Sequence, residues 1–213
     1  MSDIVVIGGS GHAKVVIGIL KKMPEFNIIG YTDIVDNGNI LGIPYLGADS
    51  VLHEIKKERE RCSAVIGLGH LQPSDKRAEI FEQLLASSFT LPSIISPHAI
   101  INEPVEIGPG TVVFDGVIIN PGVRIGKGVI LNSNSTIEHD CSIGDYVHIA
   151  PGATICGGVR INNNSIIGAG ATVIQNITIQ DDIIVGAGTT VYKDLISPGT
   201  YIGSPLRNIL NLL

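Results

Sequence analysis

The residues best suited to chemistry lie together in Glu138-His139-Asp140, where a histidine stands between two carboxylates. A neutral imidazole can take a proton from an attacking amine or hydroxyl group near neutral pH. A carboxylate beside the ring orients it and raises its basicity. We therefore interpret His139 as a candidate general base, with Asp140 as its support; an exposed histidine without a role is the alternative.

A second chemical pattern lies near the amino terminus, in Gly8-Gly9-Ser10-Gly11-His12. It follows the apolar run Ile4 to Ile7 and precedes a helical pattern, so we expect a strand, a tight turn and a helix. Backbone N–H groups at such a helix start favour an anion, and glycine lets a phosphate approach the backbone. Asp33 ends the next predicted strand, where a carboxylate can bind a ribose or sugar hydroxyl.

This turn does not complete the dinucleotide fingerprint, because Lys14 occupies the third glycine position. We therefore disfavour NAD as a ligand. A tight turn without any ligand is the alternative interpretation, since glycine-rich turns are common.

A six-residue repeat from Ile95 to Val191 must position His139. Every sixth residue in this stretch is aliphatic, and the residue two places before each is mostly small or β-branched. A period of six is typical of a parallel β-helix. His139 follows the core position Ile137 by two residues, which places it at a corner. His148 immediately precedes a core position and faces outward; a lone surface histidine is the alternative for it.

Residues 1 to about 90 instead alternate between strand and helix. The apolar pattern predicts strands over 4–7, 27–31 and 64–68, and helices over 12–22, 50–61 and 74–86, the last capped by Ser74. Parallel strands covered by helices predict a small Rossmann-like sheet. We place the boundary between the two domains, 1–92 and 93–213, at the start of the repeats.

Composition limits the partners and the compartment. The 213 residues carry a net charge of −6 without a basic run, which argues against nucleic acid and anionic membranes. The start Met1-Ser2-Asp3 lacks a basic leader, and the apolar runs are too short to span a bilayer. Three cysteines form no disulfide framework, so we expect a cytoplasmic protein. No cluster has metal-ligand spacing, so we expect no metal.

Two strings resemble known families. The pattern Ile-Gly-x-x-x-x, as at Ile107-Gly108 and Ile125-Gly126, resembles the left-handed β-helix acyltransferases. With Ile-Gly-Gly-Ser-Gly-His-Ala-Lys-Val-Val in front, the chain resembles bacterial nucleotide-amino-sugar N-acetyltransferases and, equally, sialic-acid O-acetyltransferases. The resemblance covers nearly the whole chain. It implies three hexads per coil and a homotrimer, with acetyl-CoA and the active sites between neighbouring solenoids.

The resemblance also implies roles for single residues. Ile137-Glu138-His139-Asp140-Cys141 matches the family's Ile-Glu-His-[Glu/Asp]-Cys, which implies that His139 is the base and Asp140 its support. The implied contacts to acetyl-CoA are His148, Gly157, Ala169 and Ala187. The implied contacts to the nucleotide sugar are Ser10, Gly11, His12, Asp33 and Gly69. Some relatives have two adjacent acids where this chain has Asp33-Ile34, which leaves the nucleotide base open.

With 18-residue coils, His139 and His148 lie half a coil apart, so they belong to different sides of one chain. Across a trimer interface the two could converge. His70, after Gly69 at a strand end, is a weaker candidate for lining the sugar pocket. The string Gly203 to Arg207 resembles the loop that closes these solenoids near CoA, and Arg207 is a candidate for a CoA phosphate. The apolar end, 209–213, is a candidate cap for the last coil.

The leading function is therefore transfer of acetyl from acetyl-CoA to the amino group of a UDP- or GDP-linked amino sugar in surface glycan synthesis. O-acetylation of a sialic-acid-type sugar is the alternative, and the motifs do not separate the two because both use the same base and cofactor. A non-catalytic scaffold is a third hypothesis, but it would not need Glu138-His139-Asp140. The glycine turn and Asp33 favour a nucleotide substrate.

Overall fold

The computed structural model describes residues 1–69, 72, 76–203 and 207–209, the last three by their backbone alone. The predicted helix cap Ser74, His70 and most of the predicted closing loop and terminal cap lie outside the described residues, as does the side chain of Arg207. No helix in the described ranges is long and apolar enough to cross a membrane.

The amino-terminal part is an α/β domain built on parallel strands, as predicted. Its described elements, in chain order, are β1 (Ser2–Ile7), α1 (Gly11–Leu20), β2 (Phe26–Thr32), β3 (Tyr45–Gly47), a 3-10 turn (Asp49–Val51), α2 (Leu52–Glu58), β4 (Ser63–Ile66) and α3 (Lys76–Ala86). The sheet has the order β3-β2-β1-β4, and its neighbouring strands pair in parallel. Strand β3 was not predicted, because three residues are too short to show an alternating pattern.

Two predicted helices differ in extent from those observed. The helix expected over 12–22 ends at Leu20. The helix expected over 50–61 begins as a 3-10 turn, becomes α-helical at Leu52 and ends at Glu58. Helix ends fray and are the least predictable part of an element, so neither difference changes the architecture.

The repeats form a three-sided parallel solenoid with one short strand per hexapeptide. The first side contains β5 (Ile94–Ile95), β8 (Val112–Val113), β11 (Ile130–Leu131), β14 (His148–Ile149), β17 (Ile166–Ile167), β20 (Ile183–Val185), β22 (Gly199–Ile202) and β23 (Arg207–Ile209). The second side contains β6 (Ile100–Ile101), β9 (Ile118–Ile119), β12 (Thr136–Ile137), β15 (Thr154–Ile155), β18 (Thr172–Val173) and β21 (Thr190–Val191). The third side contains β7 (Glu106–Ile107), β10 (Arg124–Ile125), β13 (Ser142–Ile143), β16 (Arg160–Ile161) and β19 (Thr178–Ile179).

The register confirms the 18-residue coil. Ile125 pairs with Ile143, and Ile137 pairs with Ile155, in parallel ladders that stack each hexapeptide on the one a coil earlier. The core positions from Val113 onward are buried, whereas the first three are half-buried. Stacking buries one continuous aliphatic core, the source of stability in solenoids. The boundary between residues 92 and 93 stays a prediction; the first solenoid strand begins at Ile94.

Helix α1 lies between the α/β sheet and the first side of the solenoid. Val16 and Leu20 of α1 share a buried cluster with Ile94 and Val112, which point outward from the solenoid. Helix α3 lies on the opposite face of the α/β sheet, and its Phe81 belongs to a second cluster. The two domains therefore pack through apolar side chains on the first side of the solenoid.

Candidate active site

His139 and Asp140 form a preassembled pair at the corner that follows β12. His139 Nδ1 lies 2.9 Å from Asp140 Oδ2, and both side chains are exposed, by 64% and 74%. Asp140 adopts φ +60°, a left-handed conformation that aspartate tolerates better than most residues. Backbone bonds hold this corner, because Asp140 N–H donates to the Pro121 carbonyl and the His139 carbonyl accepts from Gly158 N–H.

The hydrogen bond between His139 and Asp140 uses Nδ1 and leaves Nε2 of His139 available. With Nδ1–H donating to the carboxylate, Nε2 carries the lone pair, which a general base needs. Glu138 is not a second partner for the ring, because its Oε2 accepts a 2.9 Å bond from Asn120 Nδ2 in a polar ladder along the corner. The structure therefore selects Asp140 as the carboxylate that orients His139.

Gly157 lies one coil above His139, and the ring covers it. A Cβ atom added at Gly157 would stand 2.6 Å from His139 Nε2 and 2.7 Å from Cε1. A Cβ atom essentially never approaches another atom that closely, so glycine is the residue that leaves room for the ring beside the next coil. This places Gly157 beside His139, consistent with the coil spacing predicted from the sequence.

His148 is not a surface histidine. It points outward from the first side of the solenoid, but the amino-terminal domain covers it and leaves 7% exposed. Asn132 Nδ2 lies 3.2 Å from His148 Nε2, and Asn132 Oδ1 accepts the Ser133 N–H, which fixes the amide orientation. Because that amide nitrogen only donates, His148 Nε2 accepts.

His12 lies at the same domain junction as His148. Its ring stacks on Phe114 of the solenoid with centroids 5.2 Å apart, and its Nε2 is buried without a hydrogen-bond partner among the described residues. Burial, and then the nearby Arg77 and His148, lower the pKa of His12 to about 3. The structure thus brings together a histidine of the glycine turn and one of the solenoid, which the sequence did not predict.

A cavity of about 480 Å³ opens at the glycine turn. The residues that line it are Gly9, Ser10, Gly11, Lys14, Asn37, Asn39, Ile40 and Leu41. Ser10 is the N-cap of α1 and makes no capping bond with its side chain, and the first turn of the helix holds no acid. Lys14 is the cation of the lining set, so the cavity suits a phosphate-bearing ligand.

Asp33 has a structural task that was not foreseen. Its Oδ2 accepts a 2.6 Å bond from Gly9 N–H, and its Oδ1 accepts a 2.6 Å bond from Ile34 N–H. Oδ2 thus ties the end of β2 to the glycine turn, and Oδ1 accepts the backbone N–H of the next residue. The bond to a ribose or sugar hydroxyl stays a prediction, and it would have to use the remaining lone pairs.

The remaining predicted contacts are dispersed in one chain. Gly69 lies beside His12, since a Cβ added there would stand 3.8 Å from His12 Cβ. Ala169 and Ala187 stack on each other at the corner after the first side, where Gly188 N–H donates to the Ala169 carbonyl at 2.8 Å. His139 and Gly157 occupy the corner after the second side. A single chain therefore does not bring the two alanines to His139.

Sequence reasoning missed Asn132 and Arg77, which both lie at the junction with His148. Asn132 lies 16 residues before His148, close to one coil, and this spacing could have identified it. Arg77 gave no signal, because it lies in the first turn of an ordinary helical pattern. A groove of about 370 Å³ between α2 and α3, lined by Asp49 and His53 among others, contains none of the predicted site residues. In the described residues, no group of His, Cys, Asp and Glu is arranged to hold a metal ion.

Comparison with known proteins agrees with this geometry. Residues 3–84 match the family model of the PglD N-terminal domain, and residues 122–157 and 140–175 match that of the bacterial transferase hexapeptide (six repeats). The chain is similar to the acetyltransferase domain of PglB from Neisseria gonorrhoeae FA1090, with 31% identity over 98% of this chain and 100% of that one and a TM-score of 0.90. It is similar to PerB from Caulobacter crescentus, with 32% identity over 98% of each chain and a TM-score of 0.90.

WeeI from Acinetobacter baumannii AYE is a further similar structure, with 28% identity over 98% of this chain and 100% of that one and a TM-score of 0.86. No match is found among curated protein sequences.

The stacked hexapeptides and the exposed histidine–carboxylate pair define a hexapeptide-repeat acyltransferase. The chain belongs to the sugar acetyltransferases of this class that carry a PglD-type amino-terminal domain, and its solenoid is a left-handed parallel β-helix.

Proposed function

We propose that this protein transfers the acetyl group of acetyl-CoA to the amino group of a nucleotide-linked amino sugar in the synthesis of a bacterial surface glycan. The observation that carries the proposal is the His139–Asp140 pair, 2.9 Å apart and open to solvent, with Nε2 left to accept a proton. Residues 1–92 bind the nucleotide sugar, and residues 93–213 bind acetyl-CoA.

The reaction follows from the position of the base. The neutral sugar amine attacks the thioester carbonyl carbon while His139 Nε2 takes the amine proton, and Asp140 stabilises the imidazolium that forms. The new C–N bond closes as the C–S bond breaks, and the imidazolium returns the proton to the departing thiolate. No covalent acyl-enzyme is needed, because the amine itself is the nucleophile.

The glycine-turn cavity supports a nucleotide diphosphate as the carrier of the sugar. Its backbone N–H groups, the N-terminus of α1 and Lys14 offer positive potential to an anion. The PerB structure from Caulobacter crescentus contains CoA and GDP-perosamine, and the PglB domain has been solved with acetyl-CoA. These relatives support a nucleotide-linked amino sugar, which is GDP-linked in PerB, as the acceptor and acetyl-CoA as the donor.

We also propose a homotrimer with active sites at the subunit interfaces. Two observations support it: the His139 side chain is 64% exposed, and the alanines expected to contact acetyl-CoA lie at a different corner of the same chain. A neighbouring solenoid would cover the base and supply the missing contacts. We place the protein in the cytoplasm, where reduced cysteines such as the buried Cys62 and Cys141 persist.

The test is release of free CoA thiol from acetyl-CoA with a panel of acceptors. The panel holds UDP- and GDP-linked amino sugars, their hydroxyl counterparts and free sialic acid. Thiol release with a nucleotide amino sugar alone supports the proposal. Release only with sialic acid identifies an O-acetyltransferase, and no release together with no binding of acetyl-CoA identifies a scaffold.

A further inference from the structure

Arg77 is a buried cation at the junction of the two domains. It lies in the first turn of α3 and is 2% exposed. Burial lowers the pKa of its guanidinium to about 10, so the group is still charged at neutral pH. Burying such a charge is unfavourable unless the geometry of its bonds compensates, which makes its partners informative.

The guanidinium reaches one backbone carbonyl in each domain. Nη1 donates to the carbonyl of Leu68, which lies in the turn that follows β4. Nη2 donates to the carbonyl of Gly128, at a corner of the solenoid, with a distance of 3.1 Å. The planar fork of arginine holds these two acceptors in a fixed relation, which a single ammonium group cannot do.

The bond to Leu68 also orients the next amide. In a trans peptide the carbonyl and the following N–H point in opposite directions. Because the Leu68 carbonyl faces Arg77, the Gly69 N–H faces away from it. The Gly67 N–H donates to the Ile7 carbonyl at 2.7 Å, which anchors the other end of the turn to β1. Among the described residues, the Gly69 N–H has no backbone acceptor.

Gly69 is also near the proposed acceptor site. A Cβ atom added at Gly69 would stand 3.8 Å from His12 Cβ, at the end of the glycine turn. A backbone N–H with no backbone acceptor among the described residues, beside the glycine turn, is suited to bind an oxygen of the nucleotide sugar.

We propose that Arg77 is a positioning residue, which fixes the Leu68–Gly69 peptide so that the Gly69 N–H is presented to the nucleotide sugar at a set distance from the solenoid. This inference rests on the proposed function. Arg77 itself touches neither substrate; it acts through the peptide it holds and through the solenoid corner at Gly128.

Helix α3 has other attachments to the same corner, which makes the proposal testable. A Cβ atom added at Gly110 would stand 2.6 Å from Phe81, so Phe81 packs closely on the solenoid. Glu82 forms a 2.9 Å ion pair with Lys127 on the surface. We therefore expect α3 to stay docked when Arg77 is changed. The variant Glu82→Gln is the matched control, because it removes a polar contact between the same two elements without reaching Leu68.

The experiment measures steady-state kinetics of the full-length enzyme for Arg77→Lys, Arg77→Met and Glu82→Gln, with melting temperatures. We expect kcat/KM for the nucleotide amino sugar to fall roughly tenfold in Arg77→Lys and further in Arg77→Met, while KM for acetyl-CoA stays within about twofold. Glu82→Gln should change neither. An unchanged acceptor constant in a folded Arg77→Lys enzyme, or equal losses for both substrates, would overturn the inference.

A second measurement uses the wild-type enzyme and does not depend on the folding of variants. Hydrogen exchange of the peptide that contains residues 67–69 is followed with and without UDP or GDP. The inference expects the Gly69 amide to become protected by the nucleotide whose sugar is a substrate; equal exchange would overturn it. If wild-type enzyme turns over no nucleotide sugar, the proposed function fails, which is distinct from either result on Arg77.

Discussion

Two histidines whose side chains point outward from the solenoid have opposite surroundings. His139 lies at an open corner, 64% exposed, with Nδ1 bonded to Asp140 and with Nε2 above Gly157 of the next coil. His148 lies on the side covered by the amino-terminal domain, 7% exposed, with Nε2 accepting from Asn132. The surroundings of His139 suit a proton acceptor, and those of His148 suit a side chain held in one position. Both side chains point outward from the solenoid core.

The same contrast holds for the sides of the solenoid that carry them. On the covered side, the outward residues Ile94, Val112 and Ile130 are buried and aliphatic. On the second side, the outward residues are half-buried or exposed, and Ile100 is 54% exposed. The comparison shows that the period of six decides what points inward, while a separate domain decides which outward residues are shielded from water.

The largest expected effect is loss of the open histidine. His139→Ala should lower kcat about a thousandfold, because the amine loses its proton acceptor. Its melting temperature should match that of wild type, since an exposed side chain contributes little to packing. Steady-state kinetics and a thermal melt check both. His53→Ala, which removes another exposed histidine, should leave kcat unchanged; a normal rate in His139→Ala would refute the role of the base.

The next largest effect is expected from a substitution in the following coil that displaces the His139 ring. Gly157→Ala places a Cβ 2.6 Å from His139 Nε2, so the ring must move. We expect kcat to fall roughly tenfold to a hundredfold, because a displacement near 1 Å misaligns the base. The control is Gly18→Ala, where an added Cβ meets nothing within 4 Å. Full activity in Gly157→Ala would mean that the ring position does not matter.

The third prediction concerns the buried His12 at the domain junction, which should lower the free energy of unfolding at low pH. The folded pKa of His12 is lowered from 6.5 to about 3, so the unfolded chain binds a proton that the folded one does not. The free energy of unfolding therefore falls as the pH drops below 6.5. His12 accounts for a loss of about 2 kcal/mol at about pH 5. His12→Phe removes the titration. Its urea stability should depend less on pH than that of wild type, and parallel curves would contradict the burial of a neutral His12.

The smallest effect concerns the cation of the glycine-turn cavity. Lys14→Met should raise KM for the nucleotide amino sugar about tenfold and leave KM for acetyl-CoA unchanged, because one charged contact to phosphate is lost. Lys14→Arg should restore most of the affinity. Lys57, which is exposed on α2 outside the cavity, provides the control variant Lys57→Met. An equal rise in both constants would place Lys14 outside the acceptor site.

The sequence predicted the elements whose patterns are local and repeated. The aliphatic residues from Val113 to Val191 are buried as the period required, and the glycine turn joins β1 to α1. The pair His139–Asp140 was also predictable, because adjacent residues at a corner can contact each other without any tertiary information.

The junction was not predictable, because it depends on how two domains pack. Nothing in the repeat distinguishes His148 from an exposed histidine; only the covering domain does. The ligand role of Asp33 stays a prediction. Its bonds from the backbone N–H groups of Gly9 and Ile34 were not predicted, since they depend on how the strand end meets the glycine turn. Arg77 lies in an ordinary helix, and its two carbonyl partners belong to distant parts of the chain.

The most direct measurement follows an acetyl group labelled in its carbonyl carbon from acetyl-CoA into the product, by NMR, with wild-type enzyme and His139→Ala. Our account predicts that wild type converts the thioester signal into that of an amide on the nucleotide amino sugar, and that the variant leaves the label on CoA over the same time. A label found in a sugar ester would contradict N-acetylation. Amide formation at equal rates in both proteins would contradict the assignment of His139 as the base.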